Sequence, residues 1–356
     1  MSRFFSEKYK SLKPYVPGEQ PRDRSYIKLN TNESPFPPSP KAQQYAEEAA
    51  KNLQLYSDPD CTDITLQAAE LFGVKPSQIF FGNGSDEVLY LSFLAFCDEK
   101  TPAYFPDITY GFYKVYADFL GIPSAVIPLD QDYNINIDQY FCSSGTIFIA
   151  NPNAPTGKLL SLAEIRQILK HNPNRVVVVD EAYIDFGGQS AVQLIDQYDN
   201  LLVTQTFSKS RSLAGGRLGM AFANEALITD LRTAKFSINP YNVNAMTMAA
   251  GLGALRDEAY TRENCRIIIE NREYTTAQLR HRGFAVMDSM ANFILAGHPD
   301  VSGSELYTQL KNRGILVRYF DSQRLRPFVR ITIGTPEQMN VMFDKLEEIR
   351  KEQKGD

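Results

Sequence analysis

The stretch Thr206-Phe207-Ser208-Lys209-Ser210-Arg211-Ser212-Leu213-Ala214-Gly215-Gly216-Arg217 follows directly on a short apolar run, Asn200-Leu201-Leu202-Val203-Thr204-Gln205. Such a run reads as a buried strand, so Lys209 is expected in the loop leaving its end. An amine becomes a nucleophile when burial or a cationic neighbour favours its neutral form. Arg217 supplies a fixed positive charge, and Thr206 and Ser208 supply hydroxyl donors. Together they suit an anion such as a phosphate, with the amine held beside it. A surface lysine in a polar loop is the alternative reading of the Ser-Lys pair taken alone.

Upstream, Arg175-Val176-Val177-Val178-Val179 is a β-branched run of the kind buried on both faces of a parallel sheet. It ends in Asp180-Glu181-Ala182-Tyr183. A carboxylate at the C-terminal end of such a strand lies where α/β proteins bind ligands, although a helix N-cap explains the aspartate equally well. Tyr183 is close enough to serve the same ligand. Two further apolar runs, Ile79-Phe80-Phe81 and Thr146-Ile147-Phe148-Ile149-Ala150, read as strands of the same sheet. The first enters Gly82-Asn83-Gly84-Ser85-Asp86-Glu87, a glycine turn opening a helix. Helix N-termini offer free N–H groups and a partial positive charge to an anion, while Ser85 and Asp86 also suit a plain helix cap.

Composition narrows the class. The chain has 356 residues, 43% hydrophobic and 22% charged, with a net charge of −5. That is an ordinary globular composition, and its sign gives no reason to expect nucleic acid or an anionic membrane surface as partner. Cys61, Cys97, Cys142 and Cys265 form no C-x-x-C and read as reduced thiols or small buried hydrophobes. His171, His281 and His298 lack metal-ligand spacing, so no metal site is expected. No apolar stretch reaches the roughly 18 residues of a membrane span, and Met1 to Glu7 lacks a signal-peptide core. The expected compartment is the cytoplasm.

Asp180-Glu181-Ala182-Tyr183, then Ser208-Lys209, then Arg217 resemble, in order and spacing, the core of the fold-type-I pyridoxal-phosphate-dependent aminotransferases. Within them the chain looks most like the histidinol-phosphate aminotransferase group, from about residue 15 to about residue 335. The resemblance implies an α/β fold: a large cofactor domain with a mainly parallel sheet between helices, residues 29–238, and a smaller α+β domain, residues 239–356. Residues 1–28 would form an N-terminal arm and part of the small domain.

It also implies roles. Lys209 would attach pyridoxal 5′-phosphate and later carry a proton between the substrate α-carbon and the cofactor. Asp180 would hold the pyridine nitrogen protonated, and Tyr183 would donate to the ring 3′-oxygen. Gly84, Ser85, Asp86, Thr206, Ser208 and Arg217 would hold the phosphate. Tyr110, in Pro106-Asp107-Ile108-Thr109-Tyr110, would stack on the ring. Tyr56, in Leu55-Tyr56-Ser57-Asp58, would reach the phosphate of a neighbouring subunit in a homodimer with shared sites. Tyr15, Asn32, Arg318 and Arg330 would meet the substrates, a phosphorylated amine and a 2-oxo acid, with the arginines on their acidic ends. Many relatives have Asn before the second proline of Asn151-Pro152-Asn153-Ala154-Pro155-Thr156-Gly157, where it bonds the 3′-oxygen; Ala154 cannot make that bond. The family reaction is transamination of L-histidinol phosphate with 2-oxoglutarate. A threonine-phosphate decarboxylase and an aromatic amino-acid aminotransferase remain as alternatives, because both keep the cofactor residues. A non-catalytic pyridoxal-phosphate sensor would need a basic DNA-binding surface that the sequence lacks.

Overall fold

The structure, a computed structural model, describes residues 2–354. A two-residue strand, β1 (Ile27–Lys28), precedes the seven strands of the main sheet. These are β2 (Ile79–Gly82), β3 (Ala103–Pro106), β4 (Ser124–Ile127), β5 (Thr146–Ala150), β6 (Val177–Asp180), β7 (Leu201–Thr206) and β8 (Gly219–Ala223). Their spatial order is β2-β8-β7-β6-β5-β3-β4. Every neighbouring pair is parallel except the two made by β8, which runs against both β2 and β7. β5, β6 and β7 are buried along their whole length. That is why they read as unbroken apolar runs rather than alternating ones.

Six strands therefore end on one edge of the sheet, the edge where ligands bind in open α/β folds. The register sets the neighbours there. Ala150 pairs with Asp180, and Asp180 pairs with Thr204.

The rest of the chain builds a second core. β9 (Ala285–Val286), β10 (Phe293–Gly297), β12 (Arg318–Tyr319) and β13 (Phe328–Thr332) form an antiparallel sheet in the order β12-β13-β10-β9. β11 (Ile315–Leu316) pairs in parallel with β1, so the N-terminal segment is stitched to the C-terminal part of the chain. Phe293, Ile331, Met339 and Phe343 pack in this core together with Leu29, Ala154 and Tyr183. The last two come from loops at the edge of the main sheet, and this is where the two cores meet.

The helix Pro40–Ala50 is started by Pro40 in its first turn and capped by the Ser39 hydroxyl, which accepts from the Ala42 N–H. The helix Ala245–Leu255 falls in the segment expected as small domain, yet Ala250, Ala254 and Leu255 pack in the core of the main sheet. It also packs against the helices Pro40–Ala50 and Thr62–Phe72, and more lightly against Glu258–His281. Gly253 allows the close approach, since a Cβ there would lie 2.5 Å from the Lys41 carbonyl oxygen.

β8 touches the glycine turn after β2. A Cβ on Gly219 would sit 2.2 Å from the Ser85 nitrogen and 2.4 Å from the Gly84 carbonyl carbon, both backbone atoms. Gly219→Ala is therefore expected to destabilise the fold by about 1–3 kcal/mol, the usual cost of overpacking. Denaturant unfolding should show a lowered midpoint; an unchanged midpoint would mean that this turn is free to move.

Candidate active site

Two adjoining cavities open at the sheet edge. The first, about 390 Å³, is lined by Ser85, Asp86, Tyr110, Asp180, Thr206, Ser208 and Arg217, among others. The second, about 460 Å³, is lined by Tyr15, Asn32, Arg318 and Arg330 among others. Thr31, Tyr110, Ala154, Tyr183 and Lys209 line both. Of the residues expected to act together, only Gly84 and Tyr56 line neither cavity. Gly84 forms the glycine turn itself, with φ +78, and a Cβ there would meet the Arg217 guanidinium at 2.6 Å. Tyr56 is 84% exposed, its ring stacked on Tyr241 at 4.6 Å.

Lys209 Nζ donates to the Thr31 carbonyl oxygen at 3.2 Å and stands 5.8 Å from the Tyr183 ring centre. Burial, and then the Arg330 guanidinium, push its pKa down to about 8, against the pull of Glu33 and Asp86. A sizeable neutral fraction therefore exists near neutral pH. Asp180 lies opposite, its carboxyl pushed up to about 6 by burial and held down by its hydrogen bonds. Tyr113 donates to one oxygen at 2.9 Å and Thr204 to the other at 3.2 Å.

Asp86 does more than cap a helix. Its carboxylate accepts from Tyr110 and from Arg217, each at 2.6 Å. It thereby fixes the aromatic wall and aims the guanidinium along the Ser85 turn.

On the side of the second cavity, Arg318 and Arg330 face each other across β12 and β13. Arg318 donates to the Val16 and Pro17 carbonyls at 3.0 and 3.1 Å. Arg330 donates to the Asn30 carbonyl at 2.9 Å, and its buried Nε has no hydrogen-bond partner among the described residues. Like charges directly opposite are unfavourable, so the pair suits an anion. Tyr15 stacks on Phe112 at 4.3 Å beside them.

Asn32, expected to meet substrate, has its side chain engaged by protein groups. It lines the second cavity but is 2% exposed. Its side-chain N–H donates to the Tyr183 hydroxyl at 3.0 Å, and its side-chain oxygen accepts from Thr332 at 3.1 Å. Burial raises the Tyr183 phenol above its ordinary value, so it keeps its proton at neutral pH.

The neighbours of Ala154 do not replace the missing amide. Asn151 donates to the Leu160 carbonyl, and Asn153 donates to the Ile108 carbonyl and Thr156. Sequence reasoning missed the bond of Tyr113 to Asp180. It also missed Thr204, which the strand register alone brings there, and Thr31 and Glu33 beside the amine. Among the described residues, no helix is long and apolar enough to cross a membrane.

Residues 24–346 match the aminotransferase class I and II family. The histidinol-phosphate aminotransferase of Brachyspira hyodysenteriae is 47% identical over 353 residues, 99% of this chain and 100% of that protein. That of Marinomonas sp. is 50% identical over 344 residues, 95% and 97% of the two chains. The crystal structure of histidinol-phosphate aminotransferase from Sinorhizobium meliloti in complex with pyridoxal-5′-phosphate superposes with a TM-score of 0.89 over 99% of both chains. At 21% identity it supports the fold alone. The chain belongs to the aminotransferase class I and II family and, at this identity over nearly its whole length, to the histidinol-phosphate aminotransferases within it.

The charge arrangement predicts how Lys209 titrates. In the cofactor-free protein its reaction with an amine-specific reagent should rise with pH about a midpoint near 8. The Arg330 charge disfavours the ammonium form, so Arg330→Met should move the midpoint up. The Glu33 charge favours it, so Glu33→Gln should move the midpoint down. Peptide mapping of the label against pH measures this; shifts of the same sign in both variants would contradict the arrangement.

Proposed function

We propose that the protein transfers the amino group of L-histidinol phosphate to 2-oxoglutarate, with pyridoxal 5′-phosphate as cofactor, as a step of histidine biosynthesis. One observation carries the reading: Lys209 lines both cavities at once, between Asp180 and Arg217 in one and Arg318 and Arg330 in the other. The first cavity fits the cofactor. It has the size of a small-ligand pocket, with a carboxylate, an aromatic wall and an amine, and at the glycine turn an arginine with hydroxyl donors.

Bound there, pyridoxal phosphate supplies an electron sink that lets a bond to the substrate α-carbon break. The chain's own residues do the rest. Lys209 would anchor the cofactor and, once the substrate amine has displaced its own amine, would move the proton from the substrate α-carbon to the cofactor. Asp180 stays ionised opposite a protonated ring nitrogen, because that cation offsets the burial that raises its pKa. Arg217, Ser85, Thr206 and Ser208 hold the phosphate. Tyr110 covers the ring, and Tyr183 donates to the ring oxygen. Arg318 and Arg330 hold the acidic end of each substrate in turn, since a guanidinium matches both phosphate and carboxylate. The amine leaves as an oxo compound, and 2-oxoglutarate leaves as glutamate.

Adding L-histidinol phosphate to the holoenzyme should change its visible spectrum, and 2-oxoglutarate should reverse the change. Carbon dioxide release without need of an oxo acid would identify a decarboxylase instead. Charge-assisted hydrogen bonds are worth roughly 1.5–3 kcal/mol each, so Arg330→Ala should lower kcat/KM by about one to two powers of ten. The loss should be much smaller for histidinol without its phosphate; equal losses on both amines would sink the phosphate contact.

The same reading includes a homodimer with shared sites in the cytoplasm. Its support is the run of exposed apolar side chains Leu53, Leu55 and Tyr56, with the exposed Tyr241 ring stacked on Tyr56. Tyr56 would reach the phosphate of the other subunit. Mixing Lys209→Ala subunits with Tyr56→Ala subunits should then restore one complete site per mixed dimer. Mixed dimers that recover no activity would rule out a role for Tyr56 across the interface.

A further inference from the structure

Asn32 is a buried polar residue in a backbone conformation rare for any residue but glycine, with φ 55. Asparagine tolerates this left-handed region better than most. The loop is pinned there from one side. The Asn32 N–H donates to the Thr332 hydroxyl at 3.0 Å, and its carbonyl accepts from the Asn292 side chain at 3.0 Å. Thr332 lies in β13, and its own N–H donates to the Leu29 carbonyl. The second core thus holds both ends of the turn.

These bonds fix the order of protons along the network. The Asn32 backbone N–H occupies a lone pair of the Thr332 oxygen, so the threonine must place its own proton elsewhere. The Asn32 side-chain oxygen, at 3.1 Å, takes it. The Asn32 amide nitrogen is left facing Tyr183, to which it donates at 3.0 Å. With the amide turned the other way, the hydroxyl of Thr332, itself 2% exposed, would have no acceptor, which a buried donor tolerates poorly. Tyr183 therefore accepts from Asn32 and keeps its own proton free. Among the described residues no group accepts that proton, while Tyr183 lines both cavities.

We propose that Asn32 is a positioning residue: it turns the Tyr183 hydroxyl proton into the cavity toward the cofactor's ring oxygen, with its own amide orientation set by Thr332. This rests on the cofactor site described under Proposed function and adds to it how the phenol is aimed. The device matters because Ala154 brings no donor and the amides of Asn151 and Asn153 are spent elsewhere. Tyr183 is left as the main protein donor to that oxygen.

A donor at the ring oxygen stabilises its negative charge and so favours the deprotonated form of the chromophore. The test is a pH titration of the visible absorption of the substrate-free holoenzyme. The charged groups near Tyr183, namely Lys209, Arg330, Asp180 and Asp86, are retained in every variant; Asn32→Asp adds a carboxylate whose charge by itself raises the midpoint, so Thr332→Val, which adds none, separates aiming from charge. Asn32→Asp offers Tyr183 an acceptor in place of a donor and should raise the titration midpoint by about half a pH unit or more, as Tyr183→Phe should. Thr332→Val combined with Tyr183→Phe should shift it no further than Tyr183→Phe alone. Thr332→Val, which frees the amide to turn, should shift the midpoint in the same direction by less, and provides the test if Asn32→Asp does not fold. A normal midpoint in Asn32→Asp or in Thr332→Val, against a raised one in Tyr183→Phe, would overturn the proposal. So would additive shifts in the double variant. A wild-type protein that takes up no cofactor would instead overturn the function on which the proposal rests.

Discussion

A carboxylate buried at the end of a central strand is the constraint around which the site is arranged. Among the described residues Asp180 forms no ion pair, and a buried charge without a partner is expensive. The protein offsets part of that cost with two hydroxyls, from Tyr113 on a neighbouring helix and Thr204 on the adjacent strand. Each depends on fold-level geometry. Thr204 is there because β6 and β7 are parallel and in a register that pairs it with Asp180. Tyr113 is there because its fully buried ring packs against Phe105 and Phe148. The carboxylate is thus kept close to ionised but not fully satisfied, a state suited to a cationic ligand group.

The opposite imbalance holds at the other end. Among the described residues, Arg318 and Arg330 face each other with backbone carbonyls as their hydrogen-bond partners and the Phe293 and Phe320 rings beside them. Arg217 is the exception, because Asp86 balances it and ties it to Tyr110. An anion at the glycine turn would meet an arginine already aimed, whereas one beside Arg318 and Arg330 would meet two guanidinium groups that form no ion pair among the described residues. Between the two lies Lys209, whose amine feels both sets of charges.

The local chemistry was legible in the sequence. A β-branched run ending in an acid, a glycine turn after a strand and a Ser-Lys pair followed by arginine each carry their meaning within a few residues. So the mainly parallel sheet and the residues at its edge could be read directly. What could not be read depends on pairing between distant segments. Tyr113 is a core aromatic by every local criterion, and its hydroxyl gains significance only from where β6 ends. Asp86 looks like a helix cap, but its carboxylate is spent on residues 24 and 131 positions away. Asn32 looks like a turn-former, and that is true of its backbone. Its side chain acquires another partner only because β13 passes beside it. The helix Ala245–Leu255 was misplaced for the same reason: small residues mark a close approach without saying to what.

The stitching of the N-terminal segment to the last strands bears on the order in which the molecule is completed. Every strand of the main sheet lies between Ile79 and Ala223, so that sheet can form as soon as this contiguous stretch is available. The Asn32–Thr332 contacts join residues 300 positions apart, and β1 has no partner until β11 exists. During synthesis from the N-terminus, the turn that carries Asn32 must wait for almost the entire chain. Lys209 and Asp180 can take their places early, but the wall that aims Tyr183 closes last. A nascent chain cut short before β13 would hold the amine and the carboxylate without the arginine pair, and so could bind at the first cavity without building the second.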